Sequence, residues 1–489
     1  MRAANSSIDS YSISTVGSPV FSVNNAPSSP KLINLNFTEV DMQGYRQNLV
    51  YSDSTYTWPV VTLKDCQMRG VLLSLNDIPM NGSTSSSVTL QNDLWERCTV
   101  QLFNGNYSGY QNPLAVTLYN NTFWSNTITL WYEDSGATYH PAWTVNDNLF
   151  DGDSVSFTGN GSYSTYIGKS NNAHNNTTMP SALQNSGYDV SLTSLTYATG
   201  PLGNRYIGSS SSPLVNVGSR TASAAGLADH TILADQTADC DTGDTVDIGF
   251  HYKASAIRPG FNQNTLPIGD DNSTTSPVGL PFTMNFFGTS YSSLYVNQNG
   301  NVTFNRPFDV YDYEQLSYDP SLSLSDTSAE YGLDIVAPFW GDVDTQSPCS
   351  ALATYGTGTV YGHAAFGVNW VGVGGYDLVT YKLNSFQLIF IDRSDRASGD
   401  YDVEFNYTQI QWESGAASGG PDGLGGNAAR VGFAGDEGAG NFEMIGSGPP
   451  GNVFLDSDPT TGLIYNDFNT CLPGRYIFQF HNGAPIALP

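Results

Sequence analysis

In the first half of the chain, apolar and polar positions alternate over short runs that break at Asn, Asp and Gly, without the 3.6-residue period of a helix. Four runs line up: Val61-Thr62-Leu63-Lys64-Asp65-Cys66, Val88-Thr89-Leu90-Gln91-Asn92-Asp93, Val116-Thr117-Leu118-Tyr119-Asn120-Asn121 and Trp143-Thr144-Val145-Asn146-Asp147-Asn148, with starts 27, 28 and 27 residues apart. Ile33-Asn34-Leu35-Asn36 lies 28 residues before the first, and a degenerate copy, Ile167 to His174 with Asn171-Asn172, begins 24 residues after the last. Later copies continue into Thr127-Ile128-Thr129-Leu130 and Ser154-Val155-Ser156-Phe157, which predict a further short strand with one buried face. A unit of two or three short strands cannot bury its apolar face alone, so the repeat predicts a parallel β-solenoid in which coil stacks on coil. Val, Leu, Ile and Phe then form internal stacks. Asn92, Asn120 and Asp147 mark a recurrent turn, where Asn tolerates left-handed backbone and stacked amides can bond from coil to coil.

The pattern changes near residue 256. Lys253 to Asn264, with Pro259-Gly260, reads as a linker or hinge between a first domain, 1–256, and a second, 257–489. Single alternating strands follow. Ser293 to Asn297 and Asn301 to Phe304 flank Gln298-Asn299-Gly300, and Asn-Gly there predicts a hairpin with a two-residue turn. Further strands are predicted at Phe366 to Trp370, Phe386 to Ile391, Tyr401 to Tyr407, Ala429 to Phe433 and Tyr476 to Phe480, and Gly372-Val373-Gly374-Gly375 reads as a loop. With no long helix between them, these strands predict an antiparallel β-sandwich and an all-β protein.

Composition narrows the function classes. Acidic residues outnumber basic ones 45 to 17, a net charge of -28, while only 13% of the 489 residues are charged. Such a surface repels phosphate backbones and anionic lipid heads, which excludes nucleic-acid binding and makes divalent cations the natural partner. No run approaches the ~20 apolar residues of a membrane span, and Met1 to Ser10 is too polar for a signal peptide. The scarcity of lysine and wealth of Asn, Thr, Tyr and Gly nevertheless suit an extracellular protein, and the chain begins as if inside a repeat, so an N-terminal part is expected to be missing. Cys66, Cys98, Cys240, Cys349 and Cys471 carry no metal-type spacing, and their odd number excludes full pairing within a monomer. Cys349 with Cys471 is the disulfide to test first, the alternative being free thiols.

Asp235, Asp239, Asp241, Asp244 and Asp247 crowd one Gly- and Thr-containing stretch, which either holds Ca²⁺ or is a solvated acidic loop at the solenoid end. Asp342 and Asp344 face one way along an extended chain, either sharing a cation or each closing an Asx turn. The six histidines show no H-E-x-x-H or H-x-H spacing, and no G-x-S-x-G elbow occurs. Trp95, Trp124 and Tyr132 are candidates for stacking on sugars, whereas Trp143 holds a core-type repeat position.

The coil period and the turns Asn120 to Phe123 and Asp147 to Phe150 resemble the right-handed parallel β-helix family, the pectate-lyase-like solenoids of secreted and surface proteins, over roughly residues 30 to 252. Pro213 to Gly218 and Asp247 to Tyr252 look like its closing segment. The resemblance implies, as one reading, a lyase or glycoside hydrolase acting on acidic polysaccharide, with Asp151, Asp153 and Arg97 as the candidate catalytic residues. In the second half, Asn285-Phe286-Phe287-Gly288, Leu294 to Gly300, Val336-Ala337-Pro338-Phe339-Trp340-Gly341-Asp342-Val343-Asp344-Thr345, Phe366 to Trp370, Asn384 to Leu388, Phe405-Asn406-Tyr407 and Ile410-Gln411-Trp412 resemble, in order, the nidogen-like extracellular domain. That resemblance implies a β-sandwich with no catalytic centre and a role in cell-matrix adhesion. It also implies matrix proteins, cell-surface proteins or glycans as partners. The cysteine-rich modules that flank such domains in matrix proteins do not accompany it here. The preferred reading is a secreted or surface-displayed adhesive protein, with the solenoid as a stiff spacer or glycan-binding face.

Overall fold

The computed structural model describes residues 2–8, 21–23, 31–43, 49–52, 57–75, 86–107, 110–112, 114–133, 140–160, 163–239, 245–308, 323–377, 381–435 and 440–489. The chain divides into two compact units, residues 1–234 with 239–253, and residues 235–238 with 254–489.

The first unit is a parallel β-solenoid. One wall stacks the strands Thr57–Lys64, Ser86–Gln91, Leu114–Tyr119, Trp143–Asn146 and Ile167–Ser170, with Val61, Val88, Val116, Trp143 and Ile167 in register. This is the alignment that the repeat predicted. A second wall runs through Gln67–Arg69, Leu94–Glu96, Thr122–Trp124, Leu149–Asp151 and Ala173–Asn175, and a third through Leu72–Leu75, Thr99–Tyr107, Thr127–Glu133 and Ser154–Asn160. The earliest coil departs from prediction: Leu35, not Ile33, pairs with Val61. A slip of two residues keeps the same set of side chains on the same face, so alternation alone cannot detect it.

Inside, equivalent residues meet as expected. Phe123 stacks on Phe150 at 5.1 Å between ring centres and on Trp95 at 6.3 Å. The chain turns between the first and second walls at Asp65, Asn92, Asn120, Asp147 and Asn171, which all take left-handed backbone, with φ between 53° and 62°. Here short polar side chains tolerate that geometry better than any β-branched residue.

The second unit is built from two antiparallel sheets. One runs Asn264–Thr265, Thr354–Val360, His363–Gly375, Asn384–Asp392, Tyr401–Gln409, Arg475–His481 and Ala484–Pro485, with Val343–Asp344 joined to His363–Gly375. The other runs Val278–Phe286, Thr289–Asn297, Asn301–Thr303, Ile335–Trp340, Arg430–Ala434 and Asn441–Glu443. Aromatic side chains from both sheets interlock between them, among them Phe286 with Phe480 and Phe339 with Phe386. Every predicted strand of this half is present. Three details differ. The hairpin at Gln298 closes three residues between paired Asn297 and Asn301, with Gly300 at φ 74°, where a Cβ would overlap the Phe339 carbonyl. Gly372 to Gly375 ends a strand with a register shift after Val371 rather than forming a loop. A helix, Leu324–Tyr331, opens on a capping box of Ser323 and Asp326.

Candidate functional site

The polar residues of the solenoid form two internal rails. On the first, Cys66 N–H donates to Asp93 Oδ1 (2.9 Å), Asp93 N–H to Asn121 Oδ1, Asn121 N–H to Asn148 Oδ1 and Asn148 N–H to Asn172 Oδ1. The ladder therefore runs one residue beyond Asn92, Asn120 and Asp147. Those left-handed residues point outward instead and hold the closing segment. Asn92 exchanges two bonds with the His251 backbone, Asn120 donates to Asp247 O, and Asp147 accepts from both the N–H and the hydroxyl of Ser219. Left-handed backbone turns the side chain away from the barrel, while the next residue returns to it.

The second rail contains Asp153. Its Oδ1 accepts from the Asn126 backbone (2.6 Å) and side chain, and its Oδ2 accepts from Asp151 N–H at 3.0 Å. Burial pushes its carboxyl up to about 7 despite these bonds. Asp151 lies outward on the second wall, where Tyr197 and Asn175 each donate to it at 2.8 Å. Arg97 is exposed, its guanidinium 5.9 Å from the Trp124 ring. Asp151 and Asp153 thus face different sides of the wall, and both are bound by neighbouring coils.

The same outer column holds residues that the sequence did not single out. Glu96 pairs with Arg69 (2.6 Å) and Arg205 (2.8 Å), and Arg205 lies 3.7 Å from the centre of the Trp124 ring. Arg205 and Tyr197 come from the hairpin Tyr197–Gly200 and Gly203–Ile207, which no coil period announces. Trp124 is therefore half-buried beneath a cation. Trp95 and Tyr132 are not on the surface at all, both being fully buried, and Tyr132 donates its hydroxyl to Pro141 O. Their positions coincide with inward parity, so they are core residues rather than sugar platforms. Trp143 is buried as its repeat position predicted.

Of the acidic run, Asp241 and Asp244 lie outside the described residues, as does Cys240, and Asp235 belongs to the second unit. Asp239 and Asp247 meet in the first unit together with His251, all three buried and with their ligating atoms within 4.8 Å of one another. His251 escaped the sequence reading because its four-residue spacing from Asp247 is no recognised ligand spacing. It is the backbone anchoring to Asn92 and Asn120 that brings the two side chains together.

In the second unit, Asp344 closes an Asx turn on Gln346 N–H at 2.7 Å, and Asp342 is buried beside Gly415, which leaves no room for a Cβ. The stretch read as a linker is bolted down at Arg258. This guanidinium pairs with buried Glu404 at 2.8 Å and also donates to Asp235 O. Arg475 pairs with the same carboxylate at 3.1 Å and donates to Gln236 O, Ser255 O and Ala256 O. Burial disfavours the Glu404 charge, but the two guanidinium groups outweigh it and hold the carboxyl below its usual range. Cys349 is a free, exposed thiol, so the disulfide of Cys471 is not with it. Cys66 and Cys98 are buried on the solenoid rails, and Cys98 is a free thiol.

Residues 251–450 match the family model described as NIDO related. Curated relatives include alpha-tectorin of Homo sapiens, 31% identical over 243 residues, alpha-tectorin of Gallus gallus, 30% identical over 252, and nidogen of Drosophila melanogaster, 28% identical over 232. These alignments cover 45%, 47% and 45% of this chain and 10%, 11% and 16% of the respective relatives, so the chain spans only a small part of their length. No solved structure matches. Residues 251–450 thus carry a NIDO-related domain, placed after a β-solenoid.

Proposed function

We propose that this chain is a secreted or cell-surface structural protein of the extracellular-matrix type, which makes contact with matrix proteins, cell-surface proteins or glycans and turns over no substrate. The observation that carries this reading is the NIDO-related match at residues 251–450, together with the likeness to alpha-tectorin and nidogen. The disulfide at Cys471 suits an oxidising compartment. The solenoid supports the same reading, because its ordered carboxylates and amides are engaged in coil-to-coil bonds that stiffen it. Among the described residues no helix is long and apolar enough to cross a membrane.

The test is a solid-phase screen of the intact chain against matrix proteins and a glycan array, run beside an assay for sugar release from acidic polysaccharides. Saturable binding without release is expected. Release that disappears in Asp151→Asn or Asp153→Asn would replace this reading with a polysaccharide lyase or hydrolase.

A further inference from the structure

The closing segment brings an imidazole against two carboxylates inside the first unit. His251 Nδ1 lies 2.9 Å from Gly249 O, which can only accept, so Nδ1 carries the hydrogen. A neutral ring then presents the lone pair of Nε2 to Asp239 Oδ2, 3.0 Å away, which already accepts from Asp247 N–H at 2.9 Å. Two acceptors at that separation require a cation between them. Side-chain exposure is 0% for His251 and 3% for Asp239, so bulk water does not screen the pair. A proton on Nε2 leaves the three side chains with a net charge of -1, whereas a divalent ion brings them to zero, which in a buried setting is the cheaper state.

We propose that Asp239, Asp247 and His251 form a structural site for a divalent transition-type cation, zinc being the probe of choice, which clamps the closing segment onto the solenoid. An imidazole nitrogen among so few oxygens favours zinc over calcium, which takes six to eight oxygen ligands. At metal–ligand bonds of about 2.0–2.2 Å, two tetrahedral ligands of one ion lie about 3.3–3.6 Å apart, so Nε2 and Oδ2, now 3.0 Å apart, need separate by only about half an ångström to share it. The Nδ1 bond to Gly249 O is the outer-shell contact that fixes the tautomer and ring plane of a metal-bound histidine. The backbone is already set: His251 is held by Asn92, and Asp247 by Asn120 and by Asn216 N–H on its Oδ1. This inference does not depend on the adhesive reading.

The intact chain, stripped with a chelator, is titrated with Zn²⁺ alone and with Ca²⁺ alone, reading retained metal after desalting and the unfolding temperature. One zinc per chain and a rise in Tm are expected, with no comparable rise from calcium. His251→Gln is expected to lower zinc affinity on the order of a hundredfold or more, and Cys349→Ser to leave it unchanged. A full equivalent of zinc retained by His251→Gln, or none retained by the parent chain, overturns the site. Because His251→Gln also disturbs the buried contact with Asp239, Co²⁺ in the parent chain supplies a test free of any variant. Ligand-field absorption without a thiolate charge-transfer band supports the assignment, and a thiolate band refutes it.

Discussion

Asp93 occupies an asparagine position in the inner ladder of the solenoid, and replacing it with asparagine should stabilise the protein. In successive coils, Asn121 Nδ2 donates to Leu90 O, Asn148 Nδ2 to Leu118 O and Asn172 Nδ2 to Val145 O. Leu63 is in register with Leu90, Leu118 and Val145, so its carbonyl holds the equivalent acceptor position for residue 93. A carboxylate has nothing to donate there, and among the described residues no donor reaches Asp93 Oδ2. Burial pushes the Asp93 carboxyl well above its ordinary value of 3.8, against the pull of the Cys66 N–H. A folded-state pKa above the unfolded one means that the carboxyl does not oppose folding below about pH 4 and costs stability as pH rises through the folded value. Asp93→Asn supplies the missing N–H and removes the buried charge, a gain of about 1–3 kcal/mol at pH 8 that shrinks toward zero near pH 4, where the protonated acid donates as the amide does. Urea unfolding of both chains at pH 4, 6 and 8, followed by a signal from the first unit, measures the difference. An equal or negative effect at pH 8, or a gain independent of pH, would refute the reasoning.

The parent solenoid should lose stability between pH 6 and 8, since the Asp153 pKa near 7 lies above its unfolded value; an unfolding temperature that rises over that window would contradict the burial argument. Glu404→Ala leaves Arg258 and Arg475 buried without their carboxylate and should cost about 3–5 kcal/mol in the second unit, read by denaturant midpoint. Phe123→Ala interrupts the stack from Trp95 to Phe150 and should cost about 3–5 kcal/mol, with a calorimetric change below 1 kcal/mol arguing that the coils repack.

The coil walls, their register from Val61 to Ile167 and the strands of the second unit were legible along the chain, because each depends on a local rule. Alternation with period two places one face inward, and Asn or Asp marks the left-handed corner. What alternation leaves degenerate, such as the two-residue slip that pairs Leu35 with Val61, needed the fold. The same holds for every feature that joins distant residues. Tyr197 and Arg205 cover Asp151, Glu96 and Trp124 from a hairpin outside the repeat. Asp239 meets His251 only because Asn92 and Asn120 fasten the closing strand from two coils. Glu404 draws two arginines from 146 and 71 residues away, a pairing that carries no periodic signal. Local patterning sets which face a side chain takes, since that is decided by neighbours one and two positions along. Which charges become partners, and whether an aromatic such as Trp95 is a surface platform or core, is decided by what the folded chain lays over that face.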